Sequence, residues 1–83
     1  MIITLKLYAM LGQYLPEGAE KNEAKVEIEE GSCLSGVLES HGVPPEHCHL
    51  VLVNGIYHAP SERATAILRE GDALAVWPPV AGG

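Results

Sequence analysis

The sequence predicts an α+β domain in which one main helix covers one face of a mixed five-stranded sheet. Three observations support this prediction. Five short segments carry the apolar patterns of strands, and residues 34–41 repeat apolar side chains at helical spacing. The helical segment lies between two strands, so its right-handed crossover leaves a gap that the last strand can fill, parallel to the first. A chain of 83 residues suits one domain.

Two strands and a short helix are predicted in the N-terminal part of the chain. Residues 2–8 and 24–29 alternate apolar with polar side chains, which is typical of strands with one solvated face. Between them, residues 9–15 place apolar side chains at i, i+3 and i+4, which predicts a short helix. The turn at Pro16-Glu17-Gly18 ends that helix.

The main helix is predicted over residues 34–41, where Leu34, Val37 and Leu38 form a core-facing stripe. Ser32 is the expected N-cap, because its hydroxyl can accept a hydrogen bond from an unpaired backbone N–H. A glycine and two prolines follow, and they end the helix.

The C-terminal half is predicted to contribute three strands. Residues 49–53 form a continuous apolar run, which predicts a central strand covered on both faces. An Asn-Gly pair then turns the chain into a brief return strand at residues 56–58. Apolar residues over 64–68 indicate a turn of helix, and residues 73–77 form the last strand. The expected strand order is 2-1-5-3-4, the β-grasp arrangement.

The amino-acid composition indicates which classes of partner the protein binds and in which cellular compartment it is found. Five basic and eleven acidic side chains give a net charge of −6. Nucleic acids and anionic lipids bind basic surfaces, so this charge argues against both and favours a basic protein partner. No apolar run approaches the roughly 20 residues of a membrane span, and the N-terminus lacks a signal-peptide pattern. Two cysteines are too few for a disulfide scaffold, so a cytoplasmic protein is predicted.

Histidine and cysteine residues raise the question of a metal site. His47, Cys48 and His49 are adjacent, but neighbouring residues of a strand point to opposite faces and cannot readily share one ion. No metal is therefore predicted, and Cys48 is expected to be buried among surface histidines. Cys33 is expected in the first helical turn, either as a thiol of lowered pKa or as a small buried residue.

The end of the sequence carries its most specific motif. Pro78 and Pro79 stop strand pairing after Trp77 and hold the chain extended. Gly82 and Gly83 have no side chains, so the peptide can pass through a narrow channel. The group delivered in this way is the carboxylate of Gly83, a poor electrophile that must be activated before acyl chemistry. The alternative is an ordinary frayed terminus.

The closing segment Val76-Trp77-Pro78-Pro79-Val80-Ala81-Gly82-Gly83 resembles the tail of the MoaD/ThiS sulfur carriers. The resemblance covers essentially the whole chain, including Gly31-Ser32 before the main helix and the Leu-Val-Leu-Val-Asn-Gly run at residues 50–55. The Pro-Pro pair and the helix after the first strand are closer to MoaD, the small subunit of molybdopterin synthase, than to ThiS. The usual MoaD tail has Phe-Phe or similar where this chain has Val-Trp, which leaves the pathway open.

The resemblance implies a ubiquitin-like β-grasp domain over residues 1–79 and a flexible tail over residues 80–83. An adenylating enzyme of the MoeB/ThiF type would use ATP to activate Gly83, and a sulfur donor protein would convert it to a thiocarboxylate. A MoaE-type large subunit of molybdopterin synthase would then take the sulfur for the molybdenum cofactor. The alternatives are a ThiS-type carrier serving a thiazole synthase and a ubiquitin-like protein modifier.

The same resemblance assigns roles to the residues near the end of the chain. The chain would be a carrier without enzymatic turnover of its own and without a bound cofactor. Gly83 would be the reacting residue, and the tail that threads into the partner would comprise Pro78, Pro79, Val80, Ala81 and Gly82. Trp77 lies on the strand face opposite Leu74 and Val76, so it is either a core residue or an interface residue.

Overall fold

A computed structural model describes residues 1–79 of the chain. One mixed sheet contains β1 (Ile2–Leu7), β2 (Glu23–Glu27), β3 (Leu50–Val53), β4 (Ile56–Tyr57) and β5 (Ala73–Trp77), in the order β2-β1-β5-β3-β4. The other elements are α1 (Leu34–Ser40) and the 3₁₀ helices Ala9–Tyr14, Pro45–His47 and Pro60–Glu62. The predicted β-grasp order is confirmed. None of the helices in this described part is long and apolar enough to cross a membrane.

Two parallel strands form the centre of the sheet. β1 and β5 pair so that Leu5 lies beside Leu74 and Leu7 beside Val76, and all four side chains are fully buried. Because alternate side chains of a strand point to opposite faces, these four share one face of the sheet. The helix α1 covers that face with Leu34, Val37 and Leu38, which are also buried.

The N-cap of α1 is Cys33, so the prediction of Ser32 is wrong. The sulfur of Cys33 accepts a hydrogen bond from the N–H of Gly36 at 3.3 Å. The hydroxyl of Ser32 instead donates to the carbonyl of Glu29 at 2.6 Å and closes the turn before the helix. Cys33 therefore precedes the first helical turn. At the other end, Gly42 has a φ of +79°, the left-handed conformation expected just after a helix.

The segment between β4 and β5 contradicts the prediction of a helical turn at residues 64–68. A 3₁₀ helix forms earlier, and Ile67 makes an isolated β-bridge with Cys33. The N–H of Leu68 donates to the carbonyl of Ser32 at 3.0 Å. Backbone bonding to the entrance of α1 therefore decides this conformation, because a buried N–H needs a partner wherever one is available. Local helical spacing was the weaker influence.

The prediction that β3 is covered on both faces is also wrong. Val51 is fully buried against the core, but Leu50 on the opposite face is 37% exposed and Leu52 is half-buried. The continuous apolar run therefore does not reflect two covered faces. It places Leu50 and Leu52 on the open face of the sheet, opposite α1.

Candidate partner-binding face of the sheet

The sheet face opposite α1 carries an apolar surface around its C-terminal strands. Register places Leu50 beside Trp77, and Leu52 beside both Ala75 and Tyr57. Tyr8 follows β1 directly, next to the Leu7–Val76 pair, and so reaches Trp77 from the other side. We call this surface the apolar patch, and it comprises Tyr8, Leu50, Leu52, Tyr57, Ala75 and Trp77.

The apolar patch is partly exposed to solvent. Tyr57 is 53% and Leu50 is 37% exposed, and Trp77 and Tyr8 are half-buried. Single exposed apolar side chains are ordinary, but a contiguous group that includes aromatic residues marks an interaction surface. The apolar patch is therefore the candidate functional site of the described chain.

Two aromatic rings form the edge of the apolar patch nearest β1. The rings of Tyr8 and Trp77 stack with centroids 4.4 Å apart and an interplanar angle of 6°. The backbone supports this geometry, because the N–H of Tyr8 donates to the carbonyl of Val76 at 3.1 Å. Trp77 was predicted to be a core or an interface residue. Its ring lies on the open face, away from Leu74 and Val76.

The other half of the same open face is charged. Along β1 and β2, Lys6 lies beside Glu23, Thr4 beside Lys25, and Ile2 beside Glu27. We call Lys6, Glu23, Lys25 and Glu27 the charged strip. Its β2 members are exposed. The open face therefore presents an apolar half and a charged half to any partner that docks on it.

The chain leaves the sheet at the edge of the apolar patch. The N–H of His49 donates to the carbonyl of Trp77 at 2.9 Å, which pairs β5 up to its last residue. Pro78 is half-buried and Pro79 is exposed, and neither has an N–H to continue the ladder. The remaining residues of the predicted threading tail, Val80, Ala81, Gly82 and Gly83, lie outside the described residues.

A buried arginine supports this region, and no pattern in the sequence indicates it. Arg63 is 8% exposed, although arginines are mostly found at the surface. Its Nη1 donates to the carbonyl of Cys48 at 2.8 Å, and its Nη2 donates to the carbonyl of His49 at 3.4 Å. His49 in turn holds Trp77 through its N–H. Arg63 therefore fixes the two residues that lead into β3.

The two cysteines differ in environment. A hydrogen bond with the Ser35 hydroxyl, followed by one from the Gly36 N–H, lowers the pKa of the Cys33 thiol. Burial raises the pKa of Cys48, although the nearby Arg63 charge acts in the opposite direction. The prediction that Cys48 is buried is confirmed. Across residues 1–79, no three His, Cys, Asp or Glu side chains are grouped so that they could hold a metal ion.

Comparison of the sequence with models of known protein families shows which family the chain belongs to. The model of the Mut7-C ubiquitin family matches residues 1–82. The chain belongs to this family. Its description as a ubiquitin agrees with the β-grasp order of the sheet. No curated protein matches the sequence significantly.

Solved structures similar to this Mut7-C ubiquitin domain share its fold. Small archaeal modifier protein 1 of Haloferax volcanii is 23% identical, with a TM-score of 0.67 over 95% of this chain and 98% of that one. A Pyrococcus furiosus protein described as molybdopterin converting factor, subunit 1, is 22% identical, with a TM-score of 0.66 over the same shares. A chain of a Helicobacter pylori structure, described as a complex of subunits 1 and 2 of molybdopterin-converting factor, is 16% identical. Its TM-score is 0.59 over the whole of both chains.

These likenesses confirm the predicted ubiquitin-like fold and fit the resemblance to the MoaD/ThiS family. At such identities they establish only the fold, which this Mut7-C ubiquitin domain shares with a small archaeal modifier protein and with proteins described as molybdopterin converting factor subunits. The structure of this chain, in turn, shows which residues of the site the sequence interpretation missed. Trp77 was singled out, but its neighbours Tyr8, Leu50, Leu52 and Tyr57 were not. The available signal was the alternation that already placed Tyr8 on the face away from Leu5 and Leu7.

Proposed function

We propose that this Mut7-C ubiquitin domain is a sulfur carrier that docks on its partners through the apolar patch and presents Gly83 as its C-terminal carboxylate. It would serve as the small subunit of a molybdopterin synthase in molybdenum cofactor biosynthesis. One observation carries the proposal. The last strand ends at Trp77, within the apolar patch, and the stiff Pro78-Pro79 pair leaves from that point towards Gly82-Gly83.

The length of the tail fits a protein that docks through the apolar patch and reacts at Gly83. Six residues follow Trp77, and an extended chain spans at most about 3.3–3.6 Å per residue, so Gly83 can lie up to about 20 Å from the sheet. A partner can thus grip the apolar patch while the reacting carboxylate enters an active site inside it. The two terminal glycines keep the last part of that path narrow.

The chemistry proceeds in two steps, both in partner enzymes. A carboxylate oxygen of Gly83 attacks the α-phosphorus of ATP in a MoeB/ThiF-type enzyme, and pyrophosphate leaves. Sulfide, supplied by a sulfur donor protein, then attacks the carbonyl carbon of the acyl-adenylate. The bond to the AMP oxygen breaks, AMP leaves, and a proton is released from the sulfide. The product is a thiocarboxylate, and a MoaE-type large subunit would receive its sulfur.

The charge of the domain favours basic partners. The chain carries a net charge of −6, and the exposed Glu23 and Glu27 lie on β2, in the charged strip of the same open face. Complementary charge raises association rates more than it raises affinity, so added salt should slow docking without abolishing it. The apolar patch would then supply most of the binding energy.

A second candidate function is protein modification. The likeness to small archaeal modifier protein 1 over nearly the whole of both chains favours it. In that case a lysine amine of a target protein would attack the carbonyl carbon of the Gly83 acyl-adenylate, AMP would leave, and the amine would lose a proton as the isopeptide bond forms. A ThiS-type carrier for a thiazole synthase would use the same sulfur chemistry with a different acceptor.

Mass spectrometry tests the proposed function. The intact protein from its source should have Gly83 as its last residue. After incubation with the family-matched adenylating enzyme, ATP and sulfide, its mass should show one oxygen-to-sulfur exchange, located at Gly83. Deletion of Gly83 should abolish the exchange, whereas the matched control Lys25→Ala in the charged strip should be loaded normally. An unchanged mass for the wild-type protein, or residues beyond Gly83 in the mature chain, would overturn the proposal.

Two further measurements separate the alternatives. Co-purification with a MoaE-type subunit supports the molybdopterin pathway, and co-purification with a thiazole synthase replaces it with the thiamine pathway. Conjugates of higher mass in cell extracts that disappear when Gly83 is deleted would establish modification.

A further inference from the structure

The Tyr8–Trp77 stack lies at the point where the chain leaves the sheet. The rings are nearly parallel, at 6°, with centroids 4.4 Å apart, and both residues are half-buried. Stacked aromatic pairs gain stability beyond the area they bury. This contact therefore restrains the Trp77 ring on the open face, where the exposed Leu50 is its neighbour on the opposite strand.

Tyr8 is itself held rigidly. Its N–H bonds to the carbonyl of Val76 at 3.1 Å, and its carbonyl accepts the N–H of Leu11 at 3.0 Å. Leu11, in the 3₁₀ helix that follows, is fully buried. Between them, Ala9 has a φ of +53°, so the chain turns sharply after Tyr8 and returns to the core. The Tyr8 ring thus projects from an anchored corner rather than from a free loop.

The backbone of Trp77 is fixed from the other side of β5. The N–H of His49 donates to the carbonyl of Trp77 at 2.9 Å. The residue before a proline is confined to extended conformations, so a fixed Trp77 also limits the direction in which Pro78 can leave. A fixed backbone and a fixed ring together define the exit of the chain.

We infer that Tyr8 is a positioning residue, which acts through Trp77 to fix the direction in which the chain leaves the sheet at Pro78. This inference rests on the proposed function, because it assigns the fixed exit to productive delivery of Gly83. The stack is formed before any partner binds, so a partner that docks on the apolar patch meets a chain whose direction at Pro78 is already set. Preorganisation of this kind reduces the entropy lost when the productive complex forms.

Tyr8 and Tyr57 belong to the same patch but should have different roles. Tyr8 contacts Trp77, whereas Tyr57, 53% exposed on β4, pairs with Leu52 at the far side of the patch. Loss of Tyr57 removes contact area and should weaken docking. Loss of Tyr8 leaves enough patch for docking but allows complexes in which the tail is misdirected. The first change should therefore raise the KM for the carrier, and the second should lower kcat.

The first arm of the test uses Trp77 fluorescence, since the chain has a single tryptophan. Tyr8→Ala should raise acrylamide quenching about twofold and lower the anisotropy of Trp77, because the ring loses its stacking partner. Tyr8→Phe keeps the stack and should match the wild-type protein, as should the control Tyr57→Ala. Circular dichroism confirms that each variant is folded. Unchanged quenching in folded Tyr8→Ala would overturn the restraint.

The second arm measures loading of Gly83 by the adenylating enzyme at varied carrier concentration. Tyr8→Ala should lower kcat about fivefold, within the range that an aromatic stack can supply, and Tyr8→Phe should restore it. Tyr57→Ala should mainly raise KM. If the wild-type protein is loaded and Tyr8→Ala has the same kcat, the positioning role is wrong and the proposed function stands. If the wild-type protein is not loaded, the proposed function fails, and the positioning role fails with it.

Discussion

The two faces of the sheet are built from the same strands but have opposite properties. On the covered face, Leu5, Leu7, Leu74 and Val76 are fully buried beneath α1. On the open face, Leu50 is 37% and Tyr57 is 53% exposed, beside the stacked Tyr8 and Trp77. Because side chains of a strand alternate between the two faces, the same strands supply apolar side chains to both. Folding removes from water mainly those on the covered face. The covered face therefore stabilises the domain, and the open face keeps apolar area available for a partner.

A matched pair of leucine substitutions should show the largest difference between the faces. Leu74→Ala leaves a cavity in the core and should lower the free energy of unfolding by about 2–5 kcal/mol. Leu50→Ala, on the open face of the neighbouring strand, should lower it by about 1 kcal/mol or less. Urea unfolding followed by circular dichroism measures both, and Leu74→Met is the volume-conserving control. Equal losses would contradict the division between the faces.

The alkylation rates of the two cysteines measure how well the covered face of the sheet excludes solvent. At pH 8, Cys33 should be alkylated by iodoacetamide on the order of a hundredfold faster than Cys48, which reacts only when the core opens. The lowered pKa of Cys33 means that its rate rises at lower pH than the rate of an ordinary thiol. Ser35→Ala removes the main cause and should move that rise to higher pH. Peptide mass spectrometry identifies which cysteine has been alkylated. Equal alkylation rates for Cys33 and Cys48 would show that the covered face is open to solvent.

The smallest of these effects concerns the two halves of the open face. Leu50→Ala in the apolar patch should weaken binding of the adenylating enzyme about tenfold, because central apolar contacts carry most of an interface's energy. Lys25→Ala in the charged strip should change affinity less than about twofold, since exposed charges contribute little. Isothermal titration calorimetry compares the two variants. A larger loss for Lys25→Ala would move the docking site to the charged strip.

Most of the fold follows from local patterns in the sequence. The two alternating segments became β1 and β2, and residues 73–77 became β5 with the expected bounds. At the hairpin, Asn54 and Gly55 both have positive φ, at +51° and +82°, as the Asn-Gly signal requires. The candidate site was only partly predictable. Trp77 was identified, but the roles of the tail residues through Gly83 remain predictions, because residues 80–83 lie outside the described part.

The sequence by itself determined the periodicities and the turns, because these depend on side chains a few positions apart. The right-handed crossover rule, applied to the order of the elements along the chain, then predicted the order of the strands. Tertiary structure decided which residues met across long separations. It set Tyr8 against Trp77, buried Arg63 beneath the start of β3, and drew the segment around Leu68 along the entrance of α1. The physical reason is that a distant backbone partner or ring can outweigh a weak local preference, and the distance along the chain conceals it.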